Sequence, residues 1–177
     1  MRREQLEHVL RAASTIVGER DILVIGSQAV LGSVLDEDLP IEATTSIEAD
    51  LALFDDPADE KADLIDGAIG ELSRFHETYG YYAQGVSVAT AILPSGWQDR
   101  LISLETPDTQ PGRGLCLDRH DCVVSKLVAG RWKDQDFAGA LLRGHLVDAD
   151  TLIERIELLD VSVDQKSRLR AWVDMHR

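Results

Sequence analysis

The run Ile22-Leu23-Val24-Ile25 constrains the fold more than any other stretch of this chain. Four aliphatic residues, three of them β-branched, are too few for a helix and favour a strand buried in a sheet. Gly26 breaks the run. Ser27 stands where an N-cap opens a helix, predicted over residues 28–35. A buried strand needs partner strands beside it and helices over it. Residues 3–17 supply one helix, with Leu6, Val9, Leu10, Ala13 and Ile16 at helical spacing.

Further along, residues 36–46 are acidic and loop-like. Residues 47–54 alternate, with Ile47, Ala49, Leu51 and Leu53 against Glu48, Asp50 and Ala52, which predicts a strand with one polar face. Asp56-Pro57 reads as an N-cap and first-turn pair opening a helix to about residue 75. Residues 85–93 are rich in Val, Thr and Ala and read as a strand. Pro94-Ser95-Gly96 turns it, and residues 101–104 return as another. From Asp118 the pattern is helical only. Asp118 caps a helix through residue 130, and a second covers residues 134–142. Asp150-Thr151 and Ser162, the latter with Gln165 in a capping box, start two more. The expectation is an α/β core over residues 1–113 and a C-terminal helical bundle over residues 114–177, packed as one compact unit. The boundary falls in the loop carrying Pro107, Pro111, Gly112 and Gly114.

Charge narrows the function. The net charge is −14, and residues 1–110 hold 7 basic and 21 acidic residues, whereas residues 111–177 hold 11 of each. Such a first part repels bulk duplex DNA and suits a basic protein partner. No apolar run approaches the ~18–20 residues of a membrane span. The N-terminal stretch is amphipathic rather than a secretory signal. Cys116 and Cys122 are too few for a disulfide framework, so a reducing, cytoplasmic setting is expected.

Three places carry candidate chemistry. At Gly26-Ser27 a helix start offers free N–H groups and a hydroxyl to phosphate, though a simple turn and cap has the same sequence. Glu48-Ala49-Asp50 projects two carboxylates to one face of a strand. They repel unless a cation lies between them, and Mg²⁺ with substrate phosphates is the usual solution, while a solvated strand edge is the plain alternative. The stretch from Lys126 to Asp134 gathers Lys126, Arg131, Lys133 and Asp134 at the junction of two helices, as a cationic site or as surface ion pairs. Cys116, His120 and Cys122 offer only three zinc ligands, and the core is the simpler place for Cys122. Trp97, Trp132 and Trp172 read as packing residues, with Trp132 also placed to stack on a base.

Taken together, these elements resemble the nucleotidyltransferase superfamily. Strand–Gly26-Ser27–helix followed by Glu48-x-Asp50 is similar to its minimal signature. Lys126-Leu127-x-Ala129-x-Arg131-x-Lys133-Asp134 and Leu93-Pro94-x-Gly96-Trp97-x-x-Arg100 resemble stretches of the AbiEii-like toxin nucleotidyltransferases, and the likeness spans residues 22–142. The resemblance implies a small mixed sheet with flanking helices. It implies that Gly26 and Ser27 contact the β- and γ-phosphates of a nucleoside triphosphate and that Glu48 and Asp50 hold Mg²⁺. Lys126, with Arg131 or Lys133, would neutralise the triphosphate, and Asp134 would complete the acidic cluster or orient a lysine. The implied reaction transfers a nucleoside monophosphate to a hydroxyl on RNA (tRNA) or protein, in a toxin with a cognate neutralising partner. The competing reading is a catalytically degenerate binding module or antitoxin acting through protein association. Glu48, where the family has Asp, and the absence of an acidic residue in 86–93 keep it open.

Overall fold

In the computed structural model, which describes residues 1–177, the aliphatic run forms β1 (Asp21–Val24), with Ile22, Leu23 and Val24 fully buried. β1 lies at the centre of a five-stranded mixed sheet of order β3-β2-β1-β5-β4. β2 (Glu48–Ala52) runs antiparallel to β1, with Leu23 opposite Ala52. β3 (Tyr82–Gly85) runs parallel to β2 on its outer side. β5 (Arg113–Cys116) runs parallel to β1, and β4 (Ile102–Leu104) pairs antiparallel with β5 at the edge.

The first helix, α1 (Arg3–Val17), turns Leu6, Val9, Leu10 and Ala13 into the core and ends at Gly18 in the left-handed conformation. It lies close on β5: a Cβ on Gly114 would stand 2.7 Å from Leu10 Cδ1. A one-turn helix, α2 (Ile41–Thr44), precedes β2, and α3 (Glu60–Ile69) and α4 (Arg74–Tyr79) connect β2 to β3. α5 (Arg119–Ala129), α6 (Trp132–Arg143), α7 (Ala149–Glu157) and α8 (Val163–His176) follow the sheet. One continuous apolar core runs from Leu6, Leu23 and Leu51 to Val123, Leu141 and Val173, so sheet and helices share it. No helix is long and apolar enough to cross a membrane.

Several local expectations need correction. The helix predicted over 28–35 is a 3₁₀ helix, Ser27–Gly32. Gln28, Ala29, Val30 and Leu31 are all buried, so the segment has no polar face to carry longer along the surface. The Ser27 side chain does not cap it; Gly26 holds the N-cap position. The helix predicted to residue 75 is broken into α3 and α4 at Gly70, with Leu72 at φ 62° between them. The N-cap position belongs to Asp59 rather than Asp56, and Pro57 lies before the helix, although the Asp56 carboxylate accepts from the first-turn amides of Lys61 (3.1 Å) and Ala62 (2.9 Å). The strand predicted over 85–93 lies earlier, at β3. Val86 N donates the last ladder bond, to Leu51 O, and the chain then enters a 3₁₀ turn at Val88–Thr90. β5 begins at Arg113, in the stretch read as a boundary loop, and its short Arg-Gly-Leu-Cys sequence is extended because β1 pairs with it. α7 is capped by Asp148, which accepts from Thr151 N at 2.8 Å, rather than at Asp150-Thr151.

Candidate functional site

The antiparallel pairing of β1 and β2 brings Gly26 against Asp50. Ile25 N donates to Asp50 O at 3.1 Å, and a Cβ on Gly26 would lie 1.8 Å from Asp50 Oδ2. Only a residue without a side chain leaves room for that carboxylate. The amides of Gly26, Ser27 and Gln28 donate no hydrogen bond within the chain. Cys122 Sγ lies 3.5 Å from Gly26 O and supports the bend from the core side.

Glu48 and Asp50, two residues apart on β2, share a face. Glu48 Oε2 accepts from the Tyr82 hydroxyl at 3.0 Å, because the parallel register sets Glu48 opposite Tyr82. Asp50 is opposite Gln84, a neutral side chain. Burial, reinforced by the adjoining Glu48 carboxylate, pushes Asp50 up to about 6 even though Lys126 and Arg131 pull the other way. Burial and the same Glu48 carboxylate also raise the Tyr82 phenol.

The α5–α6 junction builds a wall of opposite charge. Gly130, at φ 70°, ends α5, and α6 starts two residues later at Trp132. This places Lys126 in the last turn of one helix and Lys133 and Asp134 in the first turn of the next. Asp134, only 3% exposed, accepts from Arg131 Nε at 2.7 Å and Nη2 at 3.2 Å and stands 3.9 Å from Lys126 Nζ. Its carboxylate holds the Arg131 guanidinium more firmly protonated.

The two walls face one cleft of about 700 Å³, within the range of small-molecule sites. Gly26, Ser27, Glu48, Asp50, Lys126, Arg131, Lys133 and Asp134 all line it. Trp132, which the sequence places to stack on a base, lines it too, as do Glu42, Ser46, Gln84 and Ser125, which the sequence does not mark. Tyr82, which holds Glu48, was hidden for a specific reason. The sequence predicts the third strand at residues 85–93, past Tyr82, so the Glu48–Tyr82 register is not visible in it.

Other expectations are resolved differently. Asp134 does not complete an acidic cluster: no group of three or more His, Cys, Asp or Glu side chains is arranged to hold a metal. It sits with the cations instead. The same absence covers Cys116, His120 and Cys122. Both cysteines are buried free thiols, pushed up to about 12 by burial, and His120 is taken by Asp118 and the amide of Asp148. In the Leu93–Arg100 motif, Arg100 is a strut away from the cleft. Its guanidinium donates to buried Asp121 at 2.8 Å and to the Ser95 carbonyl at 3.2 Å. Arg155 Nε stands 3.1 Å from the other oxygen of Asp121. Trp132 is not a packing residue; it is 77% exposed.

The donor set on β2 is two carboxylates on one face, one of them reluctant to ionise beside the other. Hard oxygen donors of this number fit Mg²⁺ whose remaining positions are filled by water or phosphate oxygens. A protein family described as a nucleotidyltransferase of unknown function (DUF6036) matches residues 4–176, and the chain belongs to this family. Neither a curated protein nor a solved structure matches the chain.

Proposed function

We propose that this member of a nucleotidyltransferase family transfers a nucleoside monophosphate from a triphosphate to a hydroxyl, with Mg²⁺, and that the acceptor is an RNA (tRNA) or a protein. The observation that carries the reading is the pairing, across one cleft, of the Glu48–Asp50 face with the Lys126–Arg131–Lys133 wall. A magnesium triphosphate has that polarity: a cation that needs carboxylates and a polyanion that needs lysine and arginine.

In this reading Glu48 and Asp50 hold the metal, which when bound supplies charge neutralisation at the reacting phosphate. Tyr82 fixes the Glu48 carboxylate through its hydroxyl. The free amides of Gly26, Ser27 and Gln28 and the Ser27 hydroxyl face the phosphate chain. Lys126, Arg131 and Lys133 neutralise it, and Asp134 keeps Lys126 and Arg131 extended toward it. The acceptor oxygen bonds to the α-phosphorus in line, the bond from that phosphorus to the β-bridging oxygen breaks, pyrophosphate leaves with the electron pair, and the hydroxyl proton is released to water. The stationary positive wall stabilises the charge on the departing pyrophosphate.

The resemblance of residues 22–142 to the AbiEii-like proteins favours a toxin with a neutralising protein partner, and the acidic first part of the chain suits a basic one. A second reading, a binding module without catalysis, is favoured by neutral Gln84 opposite Asp50, where a third carboxylate would complete a metal cluster. The test is pyrophosphate release from each of the four ribonucleoside triphosphates with Mg²⁺ and pooled RNA or protein acceptors. Release by the native chain that is lost in folded Asp50→Asn is the expected result. Binding of triphosphate with no release under any condition would replace transfer with the binding module.

A further inference from the structure

Trp132 is the one tryptophan of this chain without a packing role. Trp97 stacks on Phe54, with ring centroids 6.3 Å apart, and Trp172 stacks on His176 at 4.0 Å. Both pack against the apolar core. Trp132 has no aromatic neighbour, does not belong to that core or the shell around it, and is 77% exposed. The buried residues of α6 are Asp134, Phe137, Ala138, Gly139, Ala140, Leu141 and Leu142, and residue 132 is not among them. Single exposed apolar side chains are common on this surface, as at Ile41 and Leu72, so exposure alone gives Trp132 no purpose.

Its position supplies one. Trp132 lines the cleft between Arg131 and Lys133, two of the three cations of the basic wall. A ligand that meets a flat, electron-rich ring and a row of cations at once carries a planar group joined to a polyanion. A nucleotide is such a ligand, because stacking on an aromatic face is available to every base. We propose that Trp132 is the platform on which the base of the bound nucleoside triphosphate stacks. The inference rests on the triphosphate reading of this cleft and adds to it the place of the base, on the rim above the α5–α6 junction.

Inorganic tripolyphosphate shares the phosphates and lacks the base, so it separates the platform from the wall. Binding of the four Mg²⁺–nucleoside triphosphates and of Mg²⁺–tripolyphosphate is measured by calorimetry on the native chain, Trp132→Phe and Trp132→Ala. Thermal melts of the three proteins should coincide, since the side chain is exposed. Loss of one stacked base weakens binding by about tenfold or more. Trp132→Ala should therefore bind the preferred nucleotide about tenfold more weakly, Trp132→Phe should fall between, and tripolyphosphate should bind all three equally. Nucleotide, and not tripolyphosphate, should quench a fluorescence component that is missing in Trp132→Phe. Native-like nucleotide affinity in Trp132→Ala overturns the platform and leaves the triphosphate reading standing. Equal loss of tripolyphosphate and nucleotide also overturns it, since the side chain would then act on the cationic wall. If neither ligand binds the native chain, the triphosphate reading fails and the platform with it.

Discussion

A carboxylate pressed against a glycine Cα, with a second carboxylate two residues away, is an unfavourable place for negative charge. Asp50 occupies it, and burial together with Glu48 raises its carboxyl to about 6. The consequence for stability has a definite sign. An ordinary aspartate in the unfolded chain ionises near pH 4, so between about pH 4 and pH 6 the native state retains a proton that the unfolded state has lost. Stability therefore falls as pH rises through that window, and the cost persists above it. Asp50→Asn removes the cost. Without metal, the variant should be more stable than the native chain by about 3 kcal/mol at pH 7 and no more stable below about pH 4. Urea melts at both pH values check this, and a variant less stable than native at pH 7 would contradict it. Cations near Asp50 do not cancel the effect because Lys126 and Arg131 are already engaged by Asp134.

At the scale of elements, the chain spends some of its charges on architecture. Asp121 is fully buried in the first turn of α5, and Arg100 and Arg155 reach it from two sides. Arg100→Met leaves Arg155 as its one cation. Removing one partner of a buried pair costs roughly 3–5 kcal/mol, and the surviving arginine should hold the loss to about 2–3 kcal/mol. Chemical denaturation should show that loss, while nucleotide binding by the folded variant stays native, because Arg100 does not line the cleft. Which elements were legible in the sequence follows from what holds each one in place. β1, β2 and α5 announce themselves through an aliphatic run, an alternating pattern and an Asp118–Gly130 cap pair. β3 and β5 are four residues each, contain Gly85 or Gly114, and are extended because a neighbour pairs with them, so local propensity carries no trace of them. The charged lining of the cleft, Glu42 apart, was legible residue by residue, because its spacing is local. Tyr82 and Gln84 depend on a strand register, and the exposure of Trp132 depends on where α6 starts, and none of these is local.

Over the whole molecule, Glu42, Glu48 and Asp50 from the acidic first part and the cationic junction of residues 126–133 meet at a single cleft, because α5 packs on the 3₁₀ helix that follows β1 and α6 packs on α2. The Gly26-Ser27 bend is the hinge of that arrangement: α5 packs on the 3₁₀ helix it opens, and β2 lies beside it. Calorimetric titration of Mg²⁺–triphosphate into the native chain, Asp50→Asn and Lys126→Ala asks whether the two walls act together on one magnesium triphosphate. The native chain should bind, and its binding should require Mg²⁺. Asp50→Asn should lose that requirement together with at least about tenfold in affinity, and Lys126→Ala should keep the requirement while losing a similar factor, as expected when a charged partner of a ligand is removed. Folded Asp50→Asn that binds as tightly as the native chain, with Mg²⁺ still required, would contradict joint action of the two walls.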